Sequence, residues 1–314
     1  MAQLNLPHVT QARDLLPLFF AQANSVILDK STEIRLALCC LLAGGHLLIE
    51  DVPGVGKTTL VKLFAKLLNL DFKRVQFTND LLPADILGNM VYLPHKNEFE
   101  FHAGPMMAQL VLGDELNRAS PKTQSACLQA MEEHQVSIDG QNHALPKPFF
   151  FIATQNPRKS IGTFPLPESQ LDRFLMRIHL GILSRAAERE LLLGASRQHL
   201  IEQLKPVFSP QDILHLQHEV TQVRVSTALV DYVLDLIAHT RHVSSGLSPR
   251  AALGLLNAAR SWAYCDSRSF VVPEDVQAVA PSIMAHRLEG GPQLASVEGR
   301  HPIVQQILSS VPVK

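Results

Sequence analysis

Residues 47–59, LLIEDVPGVGKTT, leave the chain few ways to fold. An apolar run, a loop with Gly and Pro, and a Lys-Thr pair opening a helix is the order a phosphate-binding loop requires. Backbone N–H groups of the tight turn and of the first helical turn must converge on anionic oxygens. Pro53, Gly54, Val55, Gly56, Lys57, Thr58 and Thr59 are therefore expected around phosphates. Lys57 supplies a charge to the β- and γ-phosphates, and the Thr58 hydroxyl is a ligand for Mg2+. Gly54 and Gly56 give the loop its backbone angles. Leu47, Leu48 and Ile49 read as a buried parallel strand, and Leu60, Val61, Phe64, Leu67 and Leu68 share one face of the next helix. Asp51 stands where the pattern G-x-x-x-x-G-K-[ST] has its first glycine. A carboxylate there opposes phosphate binding unless it points away.

At 314 residues with 46% hydrophobic content, the chain is long enough for about two domains with real cores. A formal net charge of −1 gives no global basic field, so non-specific nucleic-acid binding is not favoured. No secretory segment and no apolar run of membrane-spanning length is found, and a soluble cytoplasmic protein is expected. The four cysteines lack C-x-x-C spacing and sit in apolar helical patterns, so they read as buried free thiols.

In chain order, residues 9–23 have helical apolar spacing and residues 31–43 resume it. Val26, Ile27 and Leu28 lie between them, just ahead of the loop strand. They either wall an adenine pocket or pack on the helix. Residues 74–78, RVQFT, look like a second strand. Residues 79–104 hold Leu81-Leu82-Pro83, a Gly88 break and two strand-like pieces, which suggests a hairpin-shaped insertion into a helix. Such an insert is exposed and either touches a client or decorates the surface.

Residues 110–115, LVLGDE, deliver two carboxylates at the end of an apolar strand, where ligands of open α/β sheets bind. Asp114 is expected in the Mg2+ shell and Glu115 beside the attacking water. Ser120 and Pro121 cap and open a helix that runs to about Glu133. Residues 135–140 alternate and end in Asp-Gly, a hairpin arm. The apolar strand at 149–153 leads to Asn156, which would hydrogen-bond the γ-phosphate or the water. Arg173, read as part of a surface helix before a last strand at 178–180, can reach a neighbouring subunit's γ-phosphate; Arg177 competes for that role. From Leu183 the chain is helical, with capped starts at Ser209, Ser226 and Ser248. Arg250 sits in a first helical turn, where cations are repelled, so an anion is expected near it and the nucleotide is the obvious one.

The order of EDVPGVGKT, LVLGDELNRASPKTQ, QAMEEHQVSIDG, FFIATQNP, LPESQLDRFLMR and LSPRAAL resembles the MoxR family of bacterial AAA+ ATPases, over about residues 15–287. The resemblance implies an α/β P-loop domain with a central parallel sheet flanked by helices (residues 1–182) and a small all-α lid (183–290); the polar, Pro- and Gly-bearing tail (291–314) reads as a loose end or a short docking segment. Within the first domain the resemblance implies a helix-2 insert at about 79–104 and a hairpin before sensor 1 at about 135–148. By the same resemblance Lys57 and Thr58 belong to Walker A, Asp114 and Glu115 to Walker B, Asn156 to sensor 1, Arg173 to the arginine finger and Arg250 to sensor 2. It further implies ATP and Mg2+ as cofactors and a ring, hexameric, that hydrolyses ATP. The work so driven is chaperone-like remodelling of a client protein or complex, as in metal or cofactor insertion, with a partner bearing a von Willebrand factor A domain. Two other readings compete: a nucleotide-gated interaction module with negligible hydrolysis, and a DNA-acting relative, which the near-neutral charge disfavours.

Overall fold

The computed structural model describes residues 12–156, 162–243, 246–288 and 301–313. Two helices, α1 (Leu16–Val26) and α2 (Ser31–Leu42), precede the first strand, β1 (Leu47–Glu50), and the phosphate-loop helix, α3 (Lys57–Leu67). Next come β2 (Phe72–Gln76), the short α4 (Pro83–Leu87), β3 (Gly88–Leu93), β4 (Glu98–Ala103) and β5 (Leu110–Asp114). Then follow α5 (Pro121–Glu133), β6 (Gln135–Ile138), β7 (Gln141–Ala144), β8 (Phe150–Gln155), α6 (Glu168–Leu171) and β9 (Met176–Ile178).

Five strands form one sheet in the order β2-β5-β8-β1-β9, with every pairing parallel. Strand alternation divides the core. Leu47, Ile49, Leu110, Leu112, Phe150 and Ile152 face α1, α2 and α3, whereas Leu48, Val111, Phe151 and Ala153 face α4 and α5. Gly113 in LVLGDE is a packing requirement, since a Cβ there would stand 2.7 Å from the Phe151 ring and 2.9 Å from Phe77. The stretch 79–104 forms α4 and the antiparallel β3–β4 hairpin, and β6–β7 is a second hairpin. The two touch through Phe101 and His143, whose rings stack at 3.9 Å.

After β9 the described chain is helical: α7 (Arg185–Leu193), α8 (Arg197–Gln203), α9 (Pro210–Thr221), α10 (Thr227–Val243), α11 (Pro249–Cys265), α12 (Pro273–Leu288) and α13 (Pro302–Ser310). Ser209 and Ser248 cap α9 and α11 through their hydroxyls. Arg287 and His286 dock α12 on the sheet side: the Arg287 guanidinium bonds the Asp172 carboxylate and the carbonyls of Asp172, Phe174 and Leu175. His286 Nε2 donates to the Phe174 carbonyl. α11 packs on α2, and one hydrophobic cluster runs from the sheet face through α2 into α11 and α12.

The structure refines the sequence reading in several places. The first helix continues to Val26, and its expected beginning at Val9 lies outside the described residues. The second strand lies two residues earlier than read, and the last strand covers Met176–Ile178. Arg173 is not in a helix: α6 ends at Leu171, and Arg173 occupies the turn into β9. The tail, read as a loose end or a short docking segment, contains α13, whose Val304 and Ile307 are fully buried, which agrees with docking and not with a loose end.

Candidate nucleotide site

The loop after β1 turns through Gly54 and Gly56, whose φ values are +90° and +96°. Side-chain-bearing residues rarely adopt such angles. The space a Cβ would enter is open at both glycines, which leaves a backbone cradle. Lys57 begins α3 and folds back over the loop, its Nζ donating to the carbonyls of Asp51 at 2.5 Å and Val52 at 3.4 Å. Burial lowers the Lys57 pKa, against the pull of Asp51, Asp114, Glu115 and Glu50. The Asp51 carboxylate accepts Val52 N–H at 2.8 Å and Gly181 N–H at 2.6 Å. Its two oxygens are thus engaged by backbone donors of the loop and of the stretch leading to α7.

The second half of the site lies at the carboxyl ends of β2 and β5, where Gln76 and Asp114 are in register. The Thr154 hydroxyl, from β8, donates to Asp114 Oδ1 at 2.6 Å and accepts the Glu115 N–H at 3.0 Å. Arg74 pairs with Asp114 Oδ2 at 2.6 Å. Gln76 Nε2 and Arg118 Nε hold Glu115 Oε2 at 3.2 and 2.9 Å. Glu115 itself has φ +57°. A left-handed non-glycine residue costs on the order of 1–3 kcal/mol and is retained where geometry matters.

Two adjoining cavities result. One of about 400 Å³ is bounded by Gly54, Lys57, Thr58, Asp114, Glu115 and Asn156. The other, about 460 Å³, is bounded by Val26, Ile27, Leu28, Val55, Ile182 and Arg197. Pro53, Gly54, Gly56 and Thr59 line both. An apolar slot joined to a backbone cradle that Lys57 opens fits a nucleoside polyphosphate, and the Thr58 hydroxyl with the Asp114 carboxylate is the hard oxygen set that Mg2+ prefers.

The arginines expected at the phosphates lie elsewhere. Neither Arg173 nor Arg250 lines these cavities. Arg173 Nε is 2.9 Å from Glu132 Oε2, and Arg250 pairs with the other oxygen of the same carboxylate. The anion near Arg250 in its own chain is therefore Glu132. The Arg250 hydrogen bond holds Glu132 below the usual carboxylate range. Arg177 is buried on β9, its Nη1 2.9 Å from Glu50 Oε2, so it is committed inside the protomer.

Residues 46–176 match the family described as ATPase family associated with various cellular activities (AAA), and residues 236–308 match the AAA lid domain. Chaperone MoxR1 of Mycobacterium tuberculosis is 41% identical over 281 residues, spanning 85% of this chain and 74% of that protein. The chain belongs to the MoxR family of AAA+ ATPases. Uncharacterized protein YeaC of Bacillus subtilis is 45% identical over 295 residues, 92% of each chain. A crystal structure from Cytophaga hutchinsonii superposes with a TM-score of 0.86 at 36% identity and 96% coverage of both chains.

Several polar residues of this MoxR cleft escaped the sequence reading. Arg74 and Gln76 could have been found, because they end the strand beside β5, and ligands of parallel sheets gather at carboxyl ends. Thr154 was given no role, being read only as the point where the apolar strand at 149–153 stops. Arg197 carried no local signal: it is brought to the apolar cavity from α8, with its Nε and Nη2 lacking a hydrogen-bond partner among the described residues and Nη2 3.7 Å from Glu190 Oε1.

Proposed function

We propose that the protein binds Mg·ATP in this cleft, hydrolyses it with help from a neighbouring subunit, and uses the cycle to remodel a client protein or complex. The observation that carries this reading is the convergence of Lys57, Thr58, Asp114, Glu115 and Asn156 on one cavity, next to an apolar slot of the size of a nucleoside. Val26 and Ile27 flank the base, and the Pro53–Thr59 backbone and Lys57 hold the phosphates. Thr58 and Asp114 are the Mg2+ ligands. When bound, Mg2+ neutralises charge on the transferring phosphoryl group. Glu115, turned into the cavity by its left-handed backbone, orients the attacking water and accepts its proton; Asn156 hydrogen-bonds the water or the γ-phosphate.

Arg173 and Arg250, which face away from their own cleft, act on the nucleotide of an adjacent copy, so the working form is a ring, in our reading a hexamer. Supplying a cation in trans raises phosphoryl-transfer rates by roughly 10³ to 10⁵. The name of the mycobacterial relative, Chaperone MoxR1, supports a remodelling role. The exposed β3–β4 hairpin, with Tyr92 and Phe99 paired at 5.3 Å, is the surface we assign to client contact. A cytoplasmic setting, a von Willebrand factor A-domain partner and a role in metal or cofactor insertion complete the proposal. Among the described residues no helix is long and apolar enough to cross a membrane.

Equilibrium ATP binding measured beside phosphate release tests the reading. Lys57→Ala loses binding, Glu115→Gln binds ATP without turnover, and Arg173→Ala binds ATP with little turnover. Parental turnover in Glu115→Gln would overturn the assignment.

A further inference from the structure

Glu132 ends α5, Arg173 lies in the turn before β9, and Arg250 opens α11. These three elements are distant in the chain, yet both guanidinium groups are seated on one carboxylate, with Arg173 on Oε2 at 2.9 Å and Arg250 on Oε1. The cluster sits at the surface: the side chains of Arg173, Arg250 and Glu132 are 27%, 53% and 33% exposed. Two cations against one anion leave the group a net positive charge.

The support beneath it is rigid. Arg287, only 6% exposed, bonds the Asp172 carboxylate at 2.6 Å and the carbonyls of Asp172, Phe174 and Leu175 at 3.0, 2.7 and 3.2 Å. The backbone on both sides of Arg173 is thereby fixed. What stays free without Glu132 is the arginine side chain itself, long and rich in rotamers. Arg250 has a second reason to wander, because the N-terminus of α11 repels a cation.

We propose that Glu132 is a positioning residue that presents Arg173 and Arg250 as one two-guanidinium clamp to the nucleotide of an adjacent copy of this chain. It rests on the reading of Arg173 as a residue that acts in trans. Glu132 holds both side chains before the neighbour's phosphates arrive, so their ordering is not required during the reaction. Preorganised charge of this kind lowers the barrier, not the ground state. Arg173 is carried by the sheet domain and Arg250 by the helical region. The clamp is consequently complete only while α11 is docked, which makes lid position a condition for activating the neighbour.

The test uses mixed full-length subunits. Glu115→Gln protomers cannot hydrolyse but present an intact clamp; Arg173→Ala protomers keep their own cleft but present a broken one. Glu115→Gln alone is expected to show no turnover and Arg173→Ala alone little, and mixing them is expected to restore it. A donor carrying Glu115→Gln with Glu132→Ala is expected to restore roughly 10- to 100-fold less, the penalty for misplacing a reacting group by about an ångström. A donor with Glu132→Gln, which keeps one acceptor oxygen, recovers part of it. Glu132→Ala alone is expected to lower kcat with ATP affinity and subunit association unchanged. Full restoration by the Glu132→Ala donor overturns the proposal. So does a Glu132→Ala defect traced to lost ATP binding or lost association. Should Arg173→Ala protomers retain parental turnover by themselves, the trans reading fails first, and that is visible before Glu132 is altered.

Discussion

The Asp51 carboxylate accepts the Gly181 N–H at 2.6 Å, so the first residue of the phosphate loop and the stretch entering the helical region form one hydrogen-bonded unit. This explains how an acidic residue is accommodated where the general phosphate-loop pattern has glycine. Both oxygens are satisfied by backbone donors, and the residue is only 8% exposed.

Replacing Asp51 by Ala removes both acceptors. Hydrogen bonds to a charged group are worth about 1.5–3 kcal/mol each, so the loop loses definition and ATP affinity is expected to fall about 10-fold or more. Titration with a fluorescent ATP analogue checks this, and unchanged affinity refutes the loop-to-junction role.

His46 gives the fold a pH dependence. It is fully buried, accepts the Phe151 N–H through Nδ1 at 3.1 Å and bonds the Met131 carbonyl through Nε2 at 3.3 Å. Burial, with His134 nearby, pushes its pKa down to about 3. His286, also buried, shifts in the same direction. Between the ordinary value near 6.5 and the native one, the unfolded chain holds a proton that the folded chain does not. Stability is thus fully present above about pH 6.5 and declines as pH falls, by up to about 1.4 kcal/mol per pH unit for each histidine. Urea denaturation at pH 7.5, 6.5 and 5.5 measures the slope, and His46→Gln is expected to reduce it.

Arg287 is the most deeply committed cation of the helical region. Arg287→Met leaves the Asp172 carboxylate and the Asp172 and Leu175 carbonyls without this donor, and the Phe174 carbonyl with His286 alone. Breaking a buried charged pair costs about 3–5 kcal/mol. Undocking of α12 is expected, read as a lowered unfolding midpoint and as faster amide exchange around Phe174.

The last helix is part of the core. Ile307 is fully buried, and Ile307→Ala is expected to cost about 2–5 kcal/mol. A loss below 0.5 kcal/mol, typical of surface positions, would show that α13 does not contribute to stability.

Much of the cleft was legible because its parts are contiguous. Loop, strand and helix at 47–68 and the strand ending in Asp114-Glu115 carry their chemistry in local order, and a parallel sheet brings such strand ends together. Arg250 was legible as a misplaced cation and Arg173 as a surface arginine beside the sheet, but their shared partner was not, because Glu132 at the end of α5 meets them only once the turn before β9 and the start of α11 are brought to it. The helix α13 was missed for a related reason: its apolar face is short, and the polar, Gly- and Pro-bearing sequence before it reads as an ending.

Turnover per subunit across a wide range of protein concentration, with Glu115→Gln as the blank, reads out whether neighbouring subunits complete the proposed active site. Turnover per subunit is expected to climb with concentration to a plateau and to be absent in the Glu115→Gln protein throughout. Turnover that is independent of concentration down to fully dissociated protomers would contradict completion by a neighbour, because an isolated protomer seats Arg173 and Arg250 on Glu132, away from its own phosphate cavity.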